Sequence, residues 1–253
     1  MRKIIVLFLL FSLLALPVLA QTESDWLNAK SRTISAQAVY KQAQADYKAD
    51  KTPINEQKLI SATKDVLNAA LNEVEAWLKW KNNEAKNNPD APADIKNDIE
   101  SDVNKNLAKI ADFRIEVSGI TTQAQAGIVF LKMAVAYLEL LTDVARNTGA
   151  MWVEIGKKQI SQSSNYEVKL RVAAEKISNS SEIIRILDSA KGKITEAQNN
   201  VNLAESAYKV VKLPGTPLIK FNAGNNYLRL ARSNLLEANS ELLFALKLLL
   251  TNK

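Results

Sequence analysis

Residues Trp26–Tyr47, WLNAKSRTISAQAVYKQAQADY, and Leu187–Tyr208, LDSAKGKITEAQNNVNLAESAY, carry the same spacing of inward-type residues. In the first, Trp26, Ala29, Thr33, Ala36, Tyr40, Ala43 and Tyr47 advance by threes and fours. Adding 161 to each number gives Leu187, Ala190, Ile194, Ala197, Val201, Ala204 and Tyr208, with three alanines and the last tyrosine in identical register. Steps of three and four place side chains on one seam of a helix. Alanine at every seventh position leaves room for a facing backbone to come close, as in tightly packed antiparallel helices.

The correspondence resumes beyond a turn. Ile60, Thr63, Leu67, Ala70, Val74 and Trp77 map, with an offset of 168, onto Leu228, Ala231, Leu235, Ala238, Leu242 and Ala245. The two offsets differ by seven residues, one heptad, which lengthens the second turn region without changing the face either helix presents. Thr52-Pro53 and Thr216-Pro217 each place an N-cap residue before a proline at the first helical position, where the missing N–H is no loss. Two duplicated antiparallel helical hairpins are therefore expected, over 22–82 and 180–250.

Between them, Asn87-Asn88-Pro89-Asp90-Ala91-Pro92 breaks the pattern. Ile95, Ile99, Val103, Ile110, Phe113 and Val117 then mark an amphipathic helix ending near Ser118-Gly119. Residues 124–144, with Ile128, Phe130, Leu131, Val135, Leu138 and Leu141 on nearly every side, predict a central apolar helix wrapped by its neighbours. Lys132, Glu139 and Asp143 argue against a span through hydrocarbon. Thr148-Gly149 is read as a break, a further helix follows over about 166–177, and Asn179-Ser180-Ser181-Glu182 resembles a capping box. The central helices thus occupy 93–178. The expected fold is all-α: an elongated multi-helix bundle built around two duplicated antiparallel helical hairpins, with a buried central apolar helix. Residues 21–253 are read as one domain.

Composition supports that class and narrows the chemistry. Seven glycines and six prolines in 253 residues leave a backbone poor in turns. The chain has neither cysteine nor histidine. Disulfides, His/Cys metal sites, thiol nucleophiles and Ser-His-Asp triads are excluded, so no catalytic residue, cofactor site or metal site is assigned. The acids Asp94, Asp98, Glu100 and Asp102 suit the first turns of a helix and lack calcium-loop spacing.

Residues 1–20 predict an export signal. Arg2 and Lys3 precede an apolar run from Ile4 to Leu16, and Val18-Leu19-Ala20 offers a cleavage site that leaves Gln21 first. The mature chain is then secreted or extracytoplasmic, in the periplasm or at the cell surface. Its basic excess is small and evenly spread, which speaks against nucleic acid. Asn179 heads an N-x-S sequon that matters only in a glycosylating host.

Trp80, beside Trp77, Lys79 and Lys81, is the one candidate interaction residue, since an indole offers an apolar face and a single donor. The functional expectation is a non-enzymatic structural or protein-interaction module at the cell envelope or outside the cell, with an unknown protein or envelope partner. The alternative is a membrane-active or membrane-associated protein using segment 124–144.

Overall fold

The computed structural model of the protein describes residues 16–251, with side chains from Thr22 onward. The basic start of the expected export signal and most of its apolar run lie outside the described residues. Six helices follow in order: α1 (Leu16–Ala49), α2 (Pro53–Asn87), α3 (Ala93–Ser118), α4 (Gln123–Ala174), α5 (Ser181–Lys209) and α6 (Pro217–Thr251). Among the described residues there is no strand, and the class is all-α.

The turn chemistry acts locally where the sequence places it. Thr52 Oγ1 accepts the Asn55 N–H at 3.3 Å and caps α2, which opens on Pro53. Helix α6 opens on Pro217, and the Thr216 carbonyl accepts the Lys220 N–H at 3.2 Å. Helix α5 begins at Ser181, as the 179–182 motif suggests, but the capping box does not form. Ser180 adopts right-handed helical angles and makes no side-chain cap bond.

The chain gathers into two compact units. One comprises the described residues up to Pro89 together with Lys96–Leu140; the other comprises Asp90–Ile95 and the described residues from Leu141 onward. The break between Leu140 and Leu141 falls inside α4.

In the first unit α1 packs against α2. Thr33 and Ala43 on the α1 seam are buried, and Tyr40 and Tyr47 cover a small cluster of Ala43, Leu59 and Ala62. The buried Thr33 hydroxyl lies 3.2 Å from the Ala29 carbonyl of its own helix and 3.1 Å from the Ala69 carbonyl of α2, bridging the hairpin. At the other end of the pair Trp26 stacks on Trp80, ring centroids 4.9 Å apart. Helix α3 is held to α2 by Arg114, which bonds both Asn72 and Glu75. The Glu75 carboxylate is kept below its ordinary value first by the hydrogen bond from Lys79 and then by Arg114.

Segment 124–144 departs from expectation. It is helical, as the first part of α4, but it is not a buried central helix. Ala126, Val129 and Leu140 are buried on one stripe, while Ile128, Leu131, Val135 and Leu138 lie more than half exposed on another. A helix apolar on every side needs neighbours on every side to be enclosed. The ion pairs of Lys132 with Glu116 and of Glu139 with Lys109 tie it to α3.

The second unit has the more continuous core. Leu187, Ala190, Ile194, Ala197, Val201, Ala204 and Tyr208 of α5 are all buried. They pack with Ala231, Leu235, Ala238, Leu242 and Ala245 of α6 and with Val153 and Ile160 of α4. Each large apolar side chain enclosed here contributes about 1.5–3 kcal/mol, less whatever the unfolded chain already buries. Polar pairs fix the register: Lys157 of α4 reaches Glu205 of α5 at 3.0 Å, and Ser163 of α4 donates to Asn239 of α6 at 2.9 Å.

Gly149 does not break α4, which runs without interruption for 52 residues. A Cβ at 149 would fall 2.3 Å from the Tyr208 ring, and one at Gly224 of α6 would fall 2.6 Å from the same ring. The glycines make room for an aromatic ring between two helices. That requirement overrides the helix-breaking tendency of about 1 kcal/mol relative to Ala. The segment expected as a separate helix over 166–177 is the end of α4, which stops at Ala174.

Candidate interaction groove

The second unit carries a half-open groove of about 1240 Å³ between the latter part of α4 and α6. Gly149 and Gly224 flank the same Tyr208 ring, and Ser163 bonds Asn239, so α4 and α6 run parallel here with equivalent positions 75 or 76 residues apart. Along α4 the lining residues Trp152, Ile155, Gln159, Gln162, Tyr166 and Lys169 advance by threes and fours; along α6 Leu228, Arg232, Leu235, Asn239, Leu242 and Leu246 do the same. One full face of each helix is therefore presented over about 27 Å, from the 1.5 Å rise per residue.

Five large side chains in this groove keep much of their surface in solvent: Trp152 (48%), Tyr166 (62%), Leu236 (61%), Leu243 (61%) and Leu246 (40%). Contiguous exposure of this kind marks interaction surfaces rather than random surface composition.

The charges on these helices are segregated. The charged residues lining the groove are Lys169, Arg229 and Arg232, all basic. Beside the groove, the acids of α4 and α6 turn toward α5 or stay within local pairs. Glu237 meets Lys193, Glu241 accepts from Ser189, Glu167 pairs with Arg171, which also holds Asp188, and Glu154 pairs with Lys157. Glu205, which receives Lys209 and Lys157, is held below the ordinary carboxylate range by those hydrogen bonds, Lys209 first. A second hollow of about 530 Å³ between α1 and α2 differs in kind, carrying both signs of charge in Asp25, Arg32 and Asp65.

Trp80, the candidate from the sequence, is half-buried, stacked on Trp26 and covered by Lys81, whose Nζ lies 3.7 Å from the ring centroid. It belongs to the hairpin of the first unit and not to the groove. Trp77 is half-buried on the same helix. Of the acids considered for cation binding, Glu100 pairs with Lys86 at 2.6 Å. Among the described residues no group of three or more acids is placed to hold a metal ion.

The groove escapes a reading that assigns α6 a single seam. Once Leu228, Ala231, Leu235, Ala238 and Leu242 are set aside, Leu236, Leu243 and Leu250 still recur every seventh residue. That second stripe is the signal.

Compared with protein-family models, with curated proteins and with solved structures, the chain matches none.

Proposed function

We propose that this is an exported, non-enzymatic helical protein whose task is to bind another protein at the cell envelope or outside the cell. The observation that carries the reading is the α4–α6 groove, in which Trp152, Tyr166, Leu236, Leu243 and Leu246 form an exposed apolar strip along two parallel helices. The matching seams at 26–77 and 187–245 support an origin by duplication of a helical hairpin, with the second copy, α5–α6, joined by α4 to make the binding face. The basic start and apolar run of residues 1–20, with a cleavage site after Ala20, support export and hence a face outside the cytoplasm.

A second reading rests on a different observation, the exposed stripe of Ile128, Leu131, Val135 and Leu138 on α4. Such a stripe suits a helix lying in a membrane interface. Among the described residues no helix is long and apolar enough to cross a membrane, so this reading concerns surface association.

Flotation of the mature chain, beginning at Gln21, with zwitterionic and anionic vesicles separates the two. The interaction reading expects the protein to stay at the bottom of the gradient with both lipids. Co-flotation that is lost in Val135→Asp supports the membrane reading instead. Recovery of the chain from its source with Met1 still in place, in the cytoplasmic fraction, contradicts export.

A further inference from the structure

The occupant of the α4–α6 groove has a definite chemistry, and this inference rests on the protein-binding reading above. We infer that the groove seats an acidic amphipathic helix of about 18 residues contributed by a partner protein.

The groove has the length of a helix. The lining positions from Trp152 to Leu170 on α4, and from Asn225 to Leu246 on α6, present continuous faces of about 27–32 Å at 1.5 Å per residue. Pockets for small ligands are concave and enclose most of the ligand surface within about 300–1000 Å³. This groove is larger and half-open, with walls made of two parallel helices. Helix-in-groove recognition uses such a surface, reading anchors at i, i+3, i+4 and i+7 of the guest. Packed in this way, the guest becomes the fourth helix beside α4, α5 and α6.

Its charge selects an acidic guest. Lys169, Arg229 and Arg232 line the groove, whereas Glu154, Glu167, Glu237 and Glu241 are engaged by Lys157, Arg171, Lys193 and Ser189. A guest with carboxylates flanking its apolar stripe meets only attraction at the rim, and one with lysines meets repulsion. Rim pairs of this kind act mainly on selectivity and association rate and weaken with salt.

Polar residues in the walls separate a helix from an anionic lipid, which shares the apolar and acidic character. Gln159, Gln162, Asn225 and Asn239 are set among the leucines along the walls. The oxygens of Asn225 and Asn239 already accept from Tyr208 and Ser163. An acyl chain offers nothing to their NH2 groups or to the amides of Gln159 and Gln162, while the polar flank of a helix offers acceptors and donors at every turn.

The test uses two designed 18-residue helices with identical leucine stripes, one flanked by glutamates and the other by lysines, each titrated as a fluorescent probe into the mature chain. The glutamate helix is expected to bind at least about tenfold more tightly at low salt, with the difference shrinking at high salt. Arg229→Glu combined with Arg232→Glu is expected to reverse the preference. Leu243→Asp, at an exposed position that leaves the fold intact, is expected to weaken both probes. Equal binding of the two probes, no binding of either, or binding indifferent to Leu243→Asp overturns the inference. So does displacement of the bound glutamate helix by anionic vesicles in wild type but not in Leu243→Asp, which assigns the groove to lipid. Failure here leaves the protein-binding reading standing if a partner protein cross-links to another face of the chain; absence of a protein cross-link on every face removes that reading too.

Discussion

The ring of Tyr208 occupies the space that a side chain at Gly149 would need: a Cβ there falls 2.3 Å from Tyr208 Cδ1 and 2.4 Å from Cγ. A Cβ at Gly224 would fall 2.6 Å from Cε1 and Cζ of the same ring, so α4 and α6 both approach it closely through a glycine. Its hydroxyl donates to Asn225 Oδ1 at 2.7 Å, and the ring packs on Phe221 with centroids 5.8 Å apart. One aromatic side chain of α5 thereby locks α4 and α6 together beside the groove.

Gly149→Ala is accordingly expected to destabilise the second unit by about 1–3 kcal/mol, the usual consequence of overpacking a close contact, despite the better helix propensity of Ala. Gly127→Ala lies in the same helix with nothing within 4 Å of the added methyl, and is expected to stabilise by about 0.5–1 kcal/mol. Urea midpoints of the two variants check the contrast. Two shifts of the same sign contradict the packing of Tyr208.

Burial pushes the Tyr208 phenol up to about 12 from its ordinary 10.0. The folded state therefore prefers the protonated ring. The associated stability is fully present below pH 10 and is lost as pH rises from there through 12. Tyr208→Phe is expected to lower stability by about 1 kcal/mol at neutral pH, through loss of the bond to Asn225, and to make the alkaline decline shallower. Denaturant titrations at pH 7 and pH 11 read both effects.

Ala197 and Ala204, both fully buried where α5 meets its neighbours, are expected to reject leucine. Each Ala→Leu change should destabilise by about 1–3 kcal/mol. Ala36, at the equivalent place on α1, is half-buried, and Ala36→Leu should cost less. Thermal denaturation of the three variants orders them.

Val135 is 59% exposed, so Val135→Asp is expected to change stability by no more than about 0.5 kcal/mol. A loss of several kcal/mol in the urea midpoint would restore the enclosed central helix that the apolar composition of 124–144 suggests.

The parts of this fold that the sequence makes legible are local. Thr52-Pro53 and Thr216-Pro217 announce helix starts because capping involves only a few neighbouring residues. The alanines at 190, 197 and 204 announce a packed seam because their spacing matches the helical repeat. Gly149 misleads because its purpose lies with Tyr208 and Gly224, far away in the chain. The 124–144 segment misleads because an apolar surface on all sides does not specify which side finds a neighbour. The groove is hidden for a related reason: Trp152 and Tyr166 become one surface with Leu236 and Leu243 only after α5 has brought α4 and α6 alongside each other.

The most direct measurement places a photoreactive side chain at Leu243, and in separate variants at Val135 and Ser206, in the full chain expressed in its source, with illumination of intact cells. A protein-binding groove yields a discrete protein adduct from Leu243 that is absent from the exposed control at Ser206 and abolished by Arg229→Glu with Arg232→Glu. Adducts confined to Val135 and composed of lipid, with nothing captured from Leu243, would contradict it.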